Sequence, residues 1–120
     1  ISVAARTRVC ELGGGKLKSY QIDPAEYGHA HHSIDDLSVE NPGESANLVR
    51  AALGGDGSTR SEKARSMIAM NAGAGLYVGG RASTLADGIA LASEAMRTGT
   101  ALQALDAFVA KTQNAGAETK

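Results

Sequence analysis

Between Asn71 and Gly80 the chain reads Asn-Ala-Gly-Ala-Gly-Leu-Tyr-Val-Gly-Gly, and no other stretch constrains the fold as strongly. The run continues a helical pattern that opens at Thr59 and carries Met67, Ile68 and Met70. A glycine inside a helix costs about 1 kcal/mol relative to alanine. Gly73 and Gly75, interleaved with Ala72 and Ala74, are sensible only where another element must come close to the helix backbone. This half of the helix is apolar nearly all round, which predicts burial on several sides. Asn71 is its polar exception. A buried amide needs hydrogen-bond partners, and its expected role is structural, tying the helix to a backbone segment.

Little bulk is available to cover such a surface. Among 120 residues there are three Tyr, one Phe and no Trp, against 15 Gly. Aromatic side chains supply much of the buried area in a small core. A core of Ala, Leu, Val, Ile and Met on a chain this short is a thin source of stability. The length suits one small domain, and 42% hydrophobic with 21% charged residues is a globular composition. The chain opens with Ile1 rather than Met. Taken with the uncovered helix, these features predict a segment of a larger protein.

The remaining pattern is a hairpin followed by helices. Arg6 to Ile22 reads as two short strands around Gly13-Gly14-Gly15, whose glycines supply the positive φ of a tight reversal. Val9 and Glu11 share one face, with Cys10 and Leu12 on the other. Asp23-Pro24 ends the second strand, and Pro24 to Gly43 is irregular. The first helix is predicted over about Ser45–Leu53, with Ala46, Val49 and Leu53 on one face and Gly54-Gly55 as its stop. The second opens at Thr59 with a capping-box pattern to Glu62. The third opens at Thr84, and Leu85, Ile89, Ala92 and Met96 form its apolar stripe. After Gly99 a fourth restarts at Thr100, with Leu102, Leu105, Phe108 and Val109 predicted as its buried face. Residues 113–120 turn small and polar, the composition of a frayed, flexible tail.

The chemistry-bearing clusters have simpler structural readings. Gly13-Gly14-Gly15-Lys16 is followed by Leu17 and a strand, where a phosphate loop needs a hydroxyl residue and a helix. Gly54-Gly55-Asp56-Gly57-Ser58-Thr59 leads into a helix amino terminus, which favours anions, but a helix–helix turn accounts for every residue. His29, His31 and His32, with Asp35-Asp36 nearby, lack the further ligands that zinc requires. Cys10 alone cannot form an internal disulfide, and on a strand it reads as a small core residue. Arg60, Lys63 and Arg65 form the one local basic cluster. The net charge of −1 argues against a dedicated binder of the nucleic-acid backbone. No apolar run reaches membrane-spanning length. No signal peptide is visible, so the cytoplasm is the default location. No complete catalytic constellation is present.

Several of these stretches, in this order, resemble the closing part of the anthranilate phosphoribosyltransferase family. They are Thr7-Arg8-Val9-Cys10-Glu11-Leu12 before a glycine turn, Asp23-Pro24-Ala25-Glu26-Tyr27-Gly28, Asn71 to Gly80, and Leu85 to Thr100. The resemblance covers about residues 1–112. It implies that 1–112 is the C-terminal portion of an α/β domain, here a β-hairpin followed by about four α-helices, with 113–120 as a tail. It further implies an enzyme that transfers a phosphoribosyl group from phosphoribosyl pyrophosphate to the amine of anthranilate in tryptophan biosynthesis. Such enzymes use magnesium and typically form homodimers through an N-terminal helical domain.

The family's pyrophosphate loop, anthranilate-contacting arginine and metal-binding acidic pair all fall upstream of Ile1. The resemblance therefore assigns no catalytic, substrate-binding or metal residue to a numbered position of this chain, and the segment alone is expected to be inactive. Gly54-Gly55-Asp56 matches the pyrophosphate loop in letters only. Arg65-Ser66 departs from the Arg-Asp common in the family before its Asn-Ala helix. Two alternatives are a non-catalytic relative of the same fold that binds nucleic acid, favoured only by Arg60, Lys63 and Arg65, and an enzyme like pyrimidine nucleoside phosphorylase.

Overall fold

The computed structural model describes residues 1–118. Strands β1 (Thr7–Gly13) and β2 (Lys16–Ile22) form an antiparallel hairpin, followed by helices α1 (Pro42–Gly54), α2 (Thr59–Val78), α3 (Leu85–Arg97) and α4 (Thr100–Glu118). This is the hairpin and four helices expected of such a fragment of an α/β domain. The turn has two residues, Gly14 and Gly15, with φ of 57° and 76°. Both torsions suit the turn whose twist matches that of paired strands. The register sets Leu12 opposite Leu17 and Val9 opposite Tyr20.

Helices α1, α2 and α3 each start at a side chain that accepts an otherwise unpaired amide. Asn41 caps α1 through Glu44 N–H at 2.8 Å, and Thr84 caps α3 through Asp87 N–H at 3.1 Å. At α2 the cap is Ser58, which accepts from Ser61 N–H at 3.2 Å, not Thr59 as the spacing predicts. At α4 the Thr100 hydroxyl meets that of Thr98 at 2.9 Å, and the Gln103 amide donates to the Gly99 carbonyl at 3.1 Å.

Helix α2 lies at the centre, against α1 on one side and α3 on the other, and α4 packs on α3 and α1. The α2–α3 crossing brings two helix backbones into close approach. A Cβ on Gly73 would stand 2.6 Å from both the N and Cα of Ile89, and one on Gly88 would overlap the Gly73 carbonyl. The close approach read from Gly73 is therefore present, and it needs a second glycine, Gly88, to complete it. Gly75 has open space around it. The core is Val3, Ile22, Leu53, Ala69, Met70, Ile89 and Met96.

Several burial expectations are corrected. The far half of α2 is not enclosed: Asn71, Ala72 and Gly75 are exposed, and Val78 is 81% exposed. Phe108 is 65% exposed on α4, while Leu102, Leu105 and Val109 are half-buried. Cys10 is exposed, because only one face of the hairpin is covered and residues 10 and 12 point away from it. On α1 the buried pair is Ala52 and Leu53, with Ala46 and Val49 exposed. Helix α4 runs on through 113–118, where the composition predicts a frayed tail. Ala115, Ala117 and Gln113 are compatible with helix, and no proline stops the turn. Residues 119 and 120 lie outside the described residues.

The fold is open for its size. Its accessible surface is 7864 Å², against roughly 6,100 Å² for a compact monomer of 12.2 kDa. The radius of gyration is 16.0 Å, against about 13.5 Å for a compact chain of this length.

Candidate functional site

One cluster of hydrogen-bonded polar groups lies where the hairpin and residue 1 meet the exposed half of α2. Glu11, on the covered face of β1, accepts from Tyr20 Oη and from Tyr77 Oη, both at 2.8 Å. Tyr20 is its neighbour across the hairpin, and Tyr77 comes from the last turn of α2. One carboxylate thus pins the hairpin to the helix. Hydrogen bonds from Tyr77 and then Tyr20 hold the Glu11 carboxyl below its ordinary range. The bond to Glu11, with burial as a second cause, pushes the Tyr20 phenol up to about 12. Tyr77 is raised by the same carboxylate.

The linkage has two edges. Glu11 is depressed, so its contribution to docking is present above its ordinary value of 4.5 and is lost as pH falls through its folded value. Tyr20 is raised, so its contribution is present below its ordinary value of 10.0 and is lost as pH rises through about 12. In a spectrophotometric titration we expect one phenol to ionise near pH 12. Tyr20→Phe should remove that late step, and Glu11→Gln should return it toward the ordinary tyrosine range. A late step that survives both substitutions contradicts the bridge.

Asn71 performs the tying role expected of it, from an exposed rather than a buried position. Its Nδ2 donates to the Ile1 carbonyl and to the Met67 carbonyl, each at 2.9 Å, and its Oδ1 accepts from the Ile1 nitrogen at 2.6 Å. The same side-chain amide therefore meets the carbonyl and the terminal ammonium of Ile1.

The other candidates are held by the chain itself. Gly13 to Lys16 forms the hairpin turn, with no helix to present amides to a phosphate. At Gly54–Thr59 the anion position is taken by Asp56, whose carboxylate accepts from Ser58 N–H at 2.9 Å and from the Ser61 hydroxyl. Those bonds, Ser61 first, hold the Asp56 carboxyl low. A second anion at this helix start meets a like charge. The basic cluster is also engaged: Arg60 binds the Asp36 and Ser38 carbonyls and Glu44, Lys63 binds Asp36, and Arg65 donates to the Ala52 carbonyl. Nothing in this arrangement favours a nucleic-acid interface.

The histidines separate. His31 Nε2 lies 3.0 Å from Ser66 Oγ, His29 is half-buried beside α3, and His32 is exposed. Burial, with His31 nearby, lowers the His29 pKa. Ser66, at the departure from the family's Arg-Asp, thus has a local structural partner. Among the described residues no three His, Cys, Asp or Glu side chains gather to hold a metal. The described residues therefore do not fit a magnesium site. None of the described helices is long and apolar enough to cross a membrane. Sequence reasoning missed the Glu11–Tyr20–Tyr77 bridge. Its only sequence signal is that Glu11 and Tyr20 fall on the same hairpin face.

Comparison with known proteins agrees with the resemblance read from the motifs. The model of a glycosyl transferase family, a/b domain, matches residues 1–102. An anthranilate phosphoribosyltransferase of Teredinibacter turnerae is 40% identical over 109 residues, covering 91% of this chain and 32% of that protein. One from Pseudomonas putida is 44% identical over 112 residues, with the same shares of 91% and 32%. One from Cellvibrio japonicus is 41% identical over 113 residues, 94% of this chain and 33% of its own length. The chain thus spans about a third of the length of the curated relatives it matches.

Proposed function

The chain belongs to the glycosyl transferase family through its a/b domain, and from that premise we propose that it is the C-terminal portion of an anthranilate phosphoribosyltransferase. The whole protein would transfer a phosphoribosyl group from phosphoribosyl pyrophosphate to the amine of anthranilate, releasing pyrophosphate. The observation that carries this reading is the extent of the match: 91% of the chain aligns at 40% and 44% identity with two relatives of that name.

The chemistry divides the work between this segment and the rest. As pyrophosphate leaves, positive charge develops on the ribose carbon and negative charge on the leaving group. The site must meet that negative charge with cations and oriented amides, and must hold the amine in line. In this chain the glycine-rich helix start is filled by Asp56, and Arg60, Lys63 and Arg65 are bound to its own acceptors. Its part is support. The Gly73–Gly88 crossing locks α2 to α3, Glu11 fastens the hairpin to α2, and Asn71 grips the backbone of residue 1. The surplus of about 1,800 Å² over a compact monomer is the surface such a wall would present to the remaining chain. In this reading the leaving-group loop, the magnesium ligands and the amine pocket belong to that remainder. Homodimerisation through a separate helical domain and a cytoplasmic location are part of the same proposal.

The test is an assay of anthranilate consumption with phosphoribosyl pyrophosphate and magnesium. The intact protein carrying this segment should turn over, and the 120-residue chain alone should not. Turnover by the segment alone, or a folded intact protein inert toward anthranilate, overturns the proposal. Sedimentation of the intact protein tests the dimer.

A further inference from the structure

Residues 33–41 cross the first turns of α2 and, apart from the short 3-10 turn Asp35–Leu37, join no regular element. A single arginine holds them at two points and joins them to α1 at a third. Arg60 Nε donates to the Asp36 carbonyl at 2.6 Å, and its Nη2 donates to the Ser38 carbonyl and to Glu44 Oε1, both at 3.0 Å. Lys63 Nζ adds the Asp36 carboxylate at 2.6 Å. The other oxygen of Glu44 accepts from Glu40 N–H at 3.0 Å, which ties the far end of the segment to α1.

Beneath the segment is an apolar groove of about 170 Å³. Leu37 and Val39 of the segment line it, with Leu48 and Val49 of α1 and Met67 and Ile68 of α2. The segment's own apolar hold is weak, since Leu37 is half-buried and Val39 is 37% exposed. Its internal bonding is local: Asp35 N–H to Ser33 Oγ at 3.0 Å, Leu37 N–H to the Ile34 carbonyl at 2.9 Å and Ser38 N–H to the Asp35 carbonyl at 3.4 Å. Anchors stand on both sides. His31 N–H donates to the Val3 carbonyl at 2.8 Å upstream, and Asn41, the segment's last residue, caps α1.

We propose that residues 33–41 are a strap over the α1–α2 groove, latched by the guanidinium fork of Arg60, and that the strap opens as one unit while the helices stay folded. Segments with few buried apolar contacts and few internal hydrogen bonds open at lower free energy than the core. Here the latch, rather than burial, sets that opening. Two of the three Arg60 acceptors are backbone carbonyls, so the latch acts on the path of the chain and not on one side chain. A planar fork reaches acceptors in several directions, and a lysine ammonium on a longer flexible stem does not reproduce it. The inference does not depend on the reaction proposed above.

The experiment is amide hydrogen exchange on the intact protein that carries this chain. Arg60→Gln should speed exchange of the Leu37, Ser38 and Glu40 amides together, by about tenfold or more, with the α3 amides of Ile89, Ala92 and Met96 unchanged. Arg60→Lys keeps the charge and loses the fork, so it should behave like Arg60→Gln. Exchange at the parent rate in either variant overturns the latch. Acceleration that spreads into α3 overturns the strap as a separate unit. If neither variant folds, the parent protein decides: the three amides must share one protection factor, below that of the α3 amides, and unequal factors end the proposal.

Discussion

Gly88→Ala is expected to destabilise the protein by about 3 kcal/mol, the upper part of the range for overpacking a close contact. The new Cβ would fall on the Gly73 carbonyl oxygen, closer than any real side chain approaches. Relief requires moving one helix backbone away from the other, because backbone cannot swing aside as a side chain end can. That displacement pulls Ile89, Ala92 and Met96 from the core they share with Ala69 and Met70. Gly73→Ala should follow in the same direction, since its Cβ meets Ile89 N and Cα at 2.6 Å. Helix propensity opposes both losses by about 1 kcal/mol, so the clash must exceed that amount for the sign to hold. Gly75→Ala is the internal control. It lies two residues from Gly73 in the same helix with nothing within 4 Å of its Cβ, and it should stabilise the chain as described by about 0.5–1 kcal/mol. Urea midpoints with unchanged m-values measure all three. A Gly88→Ala variant as stable as its parent would mean that α2 and α3 do not cross here.

The contrast between Gly73 and Gly88 shows what a sequence of this kind makes legible. Gly73 stands out because its neighbours are small and the cost of helical glycine asks for a reason. Gly88 sits in the Leu85–Met96 stripe and looks like an ordinary weak point in a good helix. Its reason is a backbone fifteen positions away, and local pattern holds no information about that partner. The α3 stripe itself was readable, as was the Thr84 cap, because spacing and capping are local. The α2 cap was off by one residue: Ser58 and Thr59 both carry hydroxyls, and the backbone chose the former by adopting an extended conformation there, φ −72° and ψ 149°. Asn71 announced that it needed partners, but periodicity does not reveal that the partner is residue 1. Phe108 and the far half of α2 mark a different limit. An apolar pattern states which face avoids water, not whether the covering element belongs to the same stretch of chain. Of the site, what could be read was mostly negative. The glycine-rich turns and the histidines have structural explanations in local sequence, and the Glu11 bridge depends on a contact between positions 66 residues apart.

That uncovered face gives the second large effect. In the intact protein Val78→Asp is expected to cost about 3 kcal/mol or more, the scale of an unpaired charge placed in a buried contact. On the surface as it stands the same change should stay within about 0.5 kcal/mol, because Val78 is 81% exposed and its side chain loses little by becoming polar. The two expectations differ by several kilocalories, well beyond the scatter of a denaturation experiment. The position is informative because it closes α2 next to Tyr77, whose phenol already fastens the hairpin through Glu11. A chain segment covering Val78 would therefore press on the element that joins hairpin to helix, and the charge would be felt at the bridge as well as locally. Thermal or urea unfolding of the intact Val78→Asp protein measures the cost, and the late tyrosine titration step reports whether the bridge survives. If the intact protein tolerates aspartate at this position, the apolar end of α2 faces solvent there too. The supporting-wall reading would then lose its main physical ground, while membership in the family would stand on the sequence match alone.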